Sequence, residues 1–333
     1  MMKHIAVFVF ILCIAFLAAD AAGQLTTASS TPAEVNPKSI SSATISITKT
    51  GTLIPSGNIQ SASLSLCMAQ ESPCQNQPAG NPRDCQQSMD VSPGDWEYVN
   101  DASGNMMVRI HFKNLSQPQS YSLVQVVKTV EKRLDAEAPL DGGLAYTTET
   151  IGAPLTTNVS ATAYPFERTL AGVAAMTAWV HDYVAYDISV FGKNMPSDWV
   201  LANRRGVCVE FSNLLVALLR SKDIATRYVN GYALSNEYKG FLTHEWVEVL
   251  AGGKWVSFDP TWLEGGLLDA THVVTSRSTD GIEKETLSYF GNGNINWSKG
   301  FDAVRMTDYS SNNDTSISID APQNLPVVGG GYL

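Results

Sequence analysis

The chain has 333 residues, 44% of them hydrophobic, and its 22 Lys and Arg against 32 Asp and Glu give a formal net charge of −10. That length suits two modest domains with buried cores. The acidic balance excludes nucleic acid as a partner, because such a surface repels phosphate backbones.

The N-terminus has the layout of an export signal. Met1, Met2, Lys3 and His4 precede an apolar stretch from Ile5 to Ala19, which ends at the small-residue pattern Ala19, Asp20, Ala21. Cleavage after residue 21 makes the protein secreted, extracellular or cell-surface, with no membrane span remaining. The alternative is a retained N-terminal anchor, although the stretch is shorter than the ~20 residues of a spanning helix. Residues 22–38 are rich in Thr, Ser, Ala and Pro and read as a flexible leader.

From 39 to 150 the pattern has period two. Ile45 and Ile47 alternate with Ser46 and Thr48, Leu64 and Leu66 with Ser63 and Ser65, and Val108, Ile110 and Phe112 with Arg109, His111 and Lys113. Turn clusters bound each run, so this half is expected to be an all-β, sandwich-like domain. Cys67, Cys74 and Cys85 fall in a polar stretch of it. In an oxidising compartment three such cysteines allow one disulfide with one thiol left over. Their separations lack the close C-x-x-C pairing of structural zinc sites, so no metal and no cofactor is expected.

Residues 155–275 change to a helical period followed by strands. Val173, Met176, Val180 and Val184 share one face of a helix over 168–185. Phe211, Leu214, Leu215, Leu218 and Leu219 form the buried stripe of a second helix, with Cys208 in its first turn. Strands are expected at Thr226 to Tyr232, His244 to Leu250 and Lys254 to Asp259, the last two joined by Ala251, Gly252 and Gly253. A helix packed on a small antiparallel sheet is an α+β arrangement. The rest, 276–333, holds scattered turn signals, a candidate strand at Phe301 to Tyr309 and a polar tail.

A helix N-terminus favours a thiolate, and Arg204 and Arg205 add positive field beside Cys208. Gly206 allows a close approach of the backbone. The thiol needs a base, and His244 starts a strand whose hairpin partner ends in Asp259. Those two ends are neighbours across the hairpin. Asp259 is expected to accept the Nδ1 proton of His244, leaving Nε2 toward the thiol of a Cys-His-Asp triad. Each residue also has an ordinary explanation: a small core thiol, a strand-end histidine, a turn aspartate before Pro260.

The runs Asn203-Arg-Arg-Gly-Val-Cys208-Val-Glu-Phe211, Thr226-Arg-Tyr-Val-Asn-Gly-Tyr232, His244-Glu-Trp-Val-Glu-Val249 and Trp255-Val-Ser-Phe-Asp259-Pro-Thr-Trp262 carry a resemblance. Over about residues 165–275 the chain resembles the transglutaminase-like superfamily of bacterial and archaeal thiol enzymes. The resemblance implies a papain-like fold and a thioester formed by Cys208 on an amide carbonyl of a protein or peptide substrate. Water resolves the thioester in a peptidase or deamidase, an amine in a transglutaminase. It also implies an oxyanion hole built from the nucleophile's N–H and an upstream donor, for which Trp199 and Trp179 are candidates. Glu245 stands where the family more often has a small residue. Glu210, Asp187, His181 and His272 are lesser cleft candidates. Asn114, Asn158, Asn296 and Asn313 begin glycosylation sequons.

Two other readings stay open at this point. One is a catalytically silent extracellular binding protein that keeps the fold. The other is a disulfide latch joining Cys208 to Cys67, Cys74 or Cys85.

Overall fold

The computed structural model describes residues 37–70, 86–133 and 138–311. The export signal (1–21) and the leader (22–38), apart from Pro37 and Lys38, lie outside the described residues, as do Cys74, Cys85 and the tail beyond 311. Among the described residues no helix is long and apolar enough to cross a membrane.

Five strands build the first sheet before the core begins. β1 (Ile40–Cys67) is 28 residues long and is followed by β2 (Gln86–Ser92), β3 (Trp96–Asn100), β4 (Met106–Leu115) and β5 (Gln119–Val130). β5 runs antiparallel along the first half of β1, with Ile45 opposite Val127. β4 takes the same role along the second half, with Leu64 opposite Ile110. β2 pairs with β5 and β3 with β4. The alternating apolar side chains bury one face as the pleat dictates. Leu53, Val91 and Leu123 from one half share a hydrophobic cluster with Val108, Ile110 and Phe112 from the other, which gives the region its sandwich-like core.

The core region has four helices, α1 (Thr157–Ala163), α2 (Leu170–Tyr183), α3 (Ser197–Asn203) and α4 (Cys208–Arg220). Thr156 and Thr169 cap α1 and α2 by accepting the N–H groups of Val159 and Gly172. A second antiparallel sheet follows, from β6 (Thr226–Ser235), β7 (Gly240–Ala251), β8 (Lys254–Asp259), β9 (Glu264–Gly265) and β10 (Val273–Ser278), in the spatial order β9-β8-β7-β6-β10. α4 packs on β6 and β7 with one side and on α1, α2 and α3 with the rest. Its apolar surface is therefore buried well beyond the stripe the sequence shows: Val216 and Ala217 are as enclosed as Leu214 and Leu215.

The last two strands return to the first sheet. β11 (Thr286–Lys299) pairs with β1 over Gly51 to Ser65, and β12 (Ala303–Ser311) over Ile40 to Thr48. The first sheet is thus assembled from segments on both sides of the core in sequence. The link between β11 and β12 lies against the mouth of the cleft described next.

Candidate active site

Cys208 is the first residue of α4, ahead of the helix's first internal bond, from Phe211 N–H to Val207 O at 3.1 Å. Its own N–H is one of those a helix start leaves unpaired. Glu210 fixes the approach of the chain: its two carboxylate oxygens accept the N–H groups of Val207 (2.9 Å) and Met195 (2.8 Å). Gly206 is required there, because a Cβ at that position would lie 2.1 Å from the Cβ of Glu210. Burial pushes the Glu210 carboxyl up, against the pull of those backbone bonds. Glu210 is therefore a buried anchor behind Cys208 rather than a residue of the cleft wall.

His244 lies on β7 opposite Gly231 of β6, and a Cβ on Gly231 would meet the carbonyl of Val273 at 1.9 Å. His244 Nε2 hydrogen-bonds Asp259 Oδ2 at 2.9 Å. This reverses the ring orientation expected from the sequence: Nε2 serves the carboxylate and Nδ1 is left for the thiol. The reason is the reach of the imidazole, since a carboxylate at the end of the adjacent strand meets the far edge of the ring. The indole of Trp262 stacks on His244 with ring centroids 4.1 Å apart and planes 7° from parallel. It covers the face of the histidine.

Asp259 is fully buried and divides its oxygens between two tasks. Oδ1 accepts the N–H groups of Thr261 (2.7 Å) and Trp262 (3.3 Å), which makes the turn after β8. Oδ2 accepts from His244 and, at 3.4 Å, from Nε2 of His272. The one carboxylate thus both makes the turn and holds the histidine. Burial favours the neutral acid, yet the His244 charge and the two histidine hydrogen bonds hold the carboxyl well below the usual range. Burial likewise opposes charge on His244, but Asp259 and Cys208 outweigh it and bring the imidazolium pKa up to about 9.

Cys208 and His244 open onto a cleft of about 450 Å³ between the core and the first sheet. Lys49 of β1, Glu285 and Lys299 form its far wall, with Glu285 bridging Lys49 (2.8 Å) and Lys299 (3.1 Å). Tyr232 donates to Asp302 at the same wall. Asn194 and Asn230 also line the cleft, and the Asn230 amide donates to Gly281 O at 3.3 Å. Glu245 also lines it, with its carboxyl buried and pushed well up by desolvation.

Neither tryptophan proposed as an oxyanion donor lines this cleft. Trp179 stacks on Tyr183 with centroids 4.4 Å apart, and Trp199 lies beneath the guanidinium of Arg205. Of the lesser candidates, Asp187 is a half-buried ion-pair partner of Arg205 (3.1 Å). His181 reaches from α2 to the Pro260 and Thr261 carbonyls at 3.2 and 3.1 Å and so braces the turn. Of these four, only His272 touches Asp259 and His244. Cys67 and Cys208 are both free thiols, so no latch is seen on Cys208; a pairing of Cys74 with Cys85 lies outside the described residues.

Two clusters have ligand-type side chains, His244-Asp259-His272 and Glu264-Asp269-His272. Several of their atoms are bonded to one another or to neighbours: His272 Nδ1 faces Asp269 Oδ1 at 3.3 Å, and that same oxygen accepts the N–H and hydroxyl of Thr271, both at 2.6 Å. Asp269 Oδ2 is left buried without a partner.

The family model of the transglutaminase-like superfamily matches residues 157–260, the segment that holds Cys208, His244 and Asp259. This segment is similar to a transglutaminase-like core. Around it, a crystal structure of a candidate cysteine protease from Cytophaga hutchinsonii is similar over 87% of this chain and 94% of that one, at 21% identity and a TM-score of 0.54. That likeness extends the shared fold to the β-rich region preceding the transglutaminase-like core. An uncharacterized protein of Mycobacterium leprae is 32% identical over 95 residues, 27% of this chain and 34% of that protein. Another, from Mycobacterium tuberculosis H37Rv, is 32% identical over 93 residues, 24% and 29% of the two chains. The match spans about a third of the length of these curated relatives.

Proposed function

We propose that the chain is a cysteine-dependent enzyme acting on amide bonds of protein or peptide substrates, with Cys208 as nucleophile, His244 as acid and base, and Asp259 orienting the histidine. The observation that carries the reading is a free thiol at a helix start, in a cleft with a histidine whose far nitrogen is held 2.9 Å from a buried carboxylate. In acylation the Cys208 sulfur bonds to the carbonyl carbon. The C–N bond breaks, and the proton on His244 Nδ1 passes to the departing amine. The Cys208 N–H and the Asn194 side-chain amide hold the carbonyl oxygen as it gains charge. Water or an amine then attacks the thioester, with the neutral imidazole taking its proton and thiol and histidine restored at the end.

The signal-like N-terminus makes export part of this proposal. Iodoacetamide is expected to label Cys208 at pH 6 faster than it labels free cysteine, and to abolish turnover of a peptide substrate. A Cys208→Ala protein is expected to be inactive with unchanged folding. Full activity in that variant would sink the reading, and a Cys208 no more reactive than free cysteine would favour a silent binding protein. Assaying with and without a small primary amine separates transfer from hydrolysis.

A further inference from the structure

His272 is 1% exposed and both its ring nitrogens face carboxylates. Nε2 lies 3.4 Å from Asp259 Oδ2 and Nδ1 lies 3.3 Å from Asp269 Oδ1. An imidazole that donates from both nitrogens carries both protons and a positive charge. The charge is sealed from solvent: the rings of Trp246, Trp262 and His244 pack edge-on around it at 5.2, 5.6 and 5.8 Å. Asp269, next to it, has its other oxygen buried with no partner.

We propose that His272 is a positioning residue of the active site: an imidazolium held between Asp259 and Asp269, it draws part of the Asp259 carboxylate's field away from His244 and so lets His244 give up its proton to the departing amine. The inference rests on the thiol-enzyme reading above. A buried carboxylate bonded to one histidine alone would hold that proton tightly, and a general acid works best when its pKa lies near the working pH. Sharing Oδ2 between two histidines weakens the hold on each.

The groups facing this pair are few. His244 is met by Asp259 of β8, by His272 and by Cys208. His272 is met by Asp259, by Asp269 and by Glu264 of β9. Burial alone would strip the proton from His272, and the Asp269 charge with the hydrogen bonds to Asp259 and Asp269 outweighs it and holds its pKa well above the ordinary value. Burial pushes the Glu264 carboxyl up to about 8, so near neutrality it is uncharged. Asp259 and Asp269 then carry two negative charges, and His272 and His244 balance them. Removing the His272 cation leaves both negative charges to His244.

Two measurements test this on the intact protein. Nitrogen-15 spectra of the imidazoles between pH 5 and 9 are expected to show His272 with both nitrogens protonated throughout; a neutral His272 at pH 7 overturns the proposal with no variant needed. Cys208 alkylation by iodoacetamide is then followed against pH in wild type and His272→Gln. The upper step of the rate profile, which reports loss of the His244 proton, is expected about one unit or more higher in the variant, as a unit charge so close in a buried site implies. An unmoved step in a folded His272→Gln protein also overturns it, because a histidine that merely fills space would leave the step in place. If the variant does not fold, the spectra alone decide. A wild-type Cys208 no more reactive than free cysteine overturns the thiol-enzyme reading instead, leaving the charge on His272 as a separate result.

Discussion

Asn194 is the residue whose role is easiest to isolate. It borders the cleft beside Val207 and Cys208, and it sits in the left-handed region at φ 48°, a conformation asparagine adopts more readily than most residues. In the proposed acylation its amide is the side-chain donor to the carbonyl oxygen as that atom gains charge. Replacing it with alanine is expected to lower kcat on the order of 100-fold, the usual loss for one oxyanion donor. The same change should leave the iodoacetamide labelling of Cys208 intact, because the thiol and its base are untouched. Equal losses in labelling and turnover would show that Asn194 shapes the loop rather than the transition state.

Elements explain why some of the site could be read from the sequence and some could not. Cys208 and Asp259 stand at the ends of regular elements, and His244 lies inside β7, which begins at Gly240 rather than at the histidine; each element's periodicity is visible locally: the leucine stripe of α4, the alternation of β7, the turn after β8. The cleft's far wall has no such local signal. Lys49 and Glu285 are 236 positions apart in the chain, and only sheet pairing brings them together. His272 follows a short irregular segment, so nothing nearby marks it as a neighbour of Asp259. The two longest strands were also hidden. Gly51, Pro55 and Gly57 resemble a turn within β1, and Gly291 and Gly293 with their asparagines resemble a loop within β11. In the fold these glycines are where the two backbones run together, Gly57 opposite Gly293. Gly293 has φ 143°, and a Cβ on it would lie 2.2 Å from the carbonyl of Ser56. Gly293→Val is therefore expected to separate β11 from β1 and to lower the denaturant midpoint. It should also reduce turnover more than Cys208 labelling, since the wall opposite the thiol is displaced. A variant as stable as wild type would mean that β11 is not held in this register.

For the whole molecule, stability should have a maximum in mildly acidic solution. A proton bound more tightly in the folded state stabilises it fully below the unfolded pKa, and the gain is gone above the folded one. His244, raised from 6.5 to about 9, and Glu264, raised from 4.5 to about 8, both behave this way. Their contributions are lost as pH rises through those values. Carboxylates held low act in reverse. Glu248, kept at about 2 against burial by Arg277 and Arg227, and Asp259 stabilise the fold above their unfolded values of 4.5 and 3.8, and that gain is lost in acid. Thermal unfolding midpoints are expected to peak between pH 4.5 and 6.5 and to fall by pH 9 and again below pH 3.8. A midpoint that rises from pH 6.5 to 9 would contradict the protonation states assigned to His244 and Glu264.

The return of β11 and β12 to β1 also sets an order of events during synthesis. Cys208, His244 and Asp259, the proposed nucleophile, base and carboxylate, are all made by residue 259, but the wall that faces them includes Glu285, Lys299 and Asp302. A ribosome that has released only the core has made a thiol with no finished pocket around it. The protein cannot complete its cleft until its last strands emerge, so a nascent or prematurely terminated chain lacks the full substrate-binding surface.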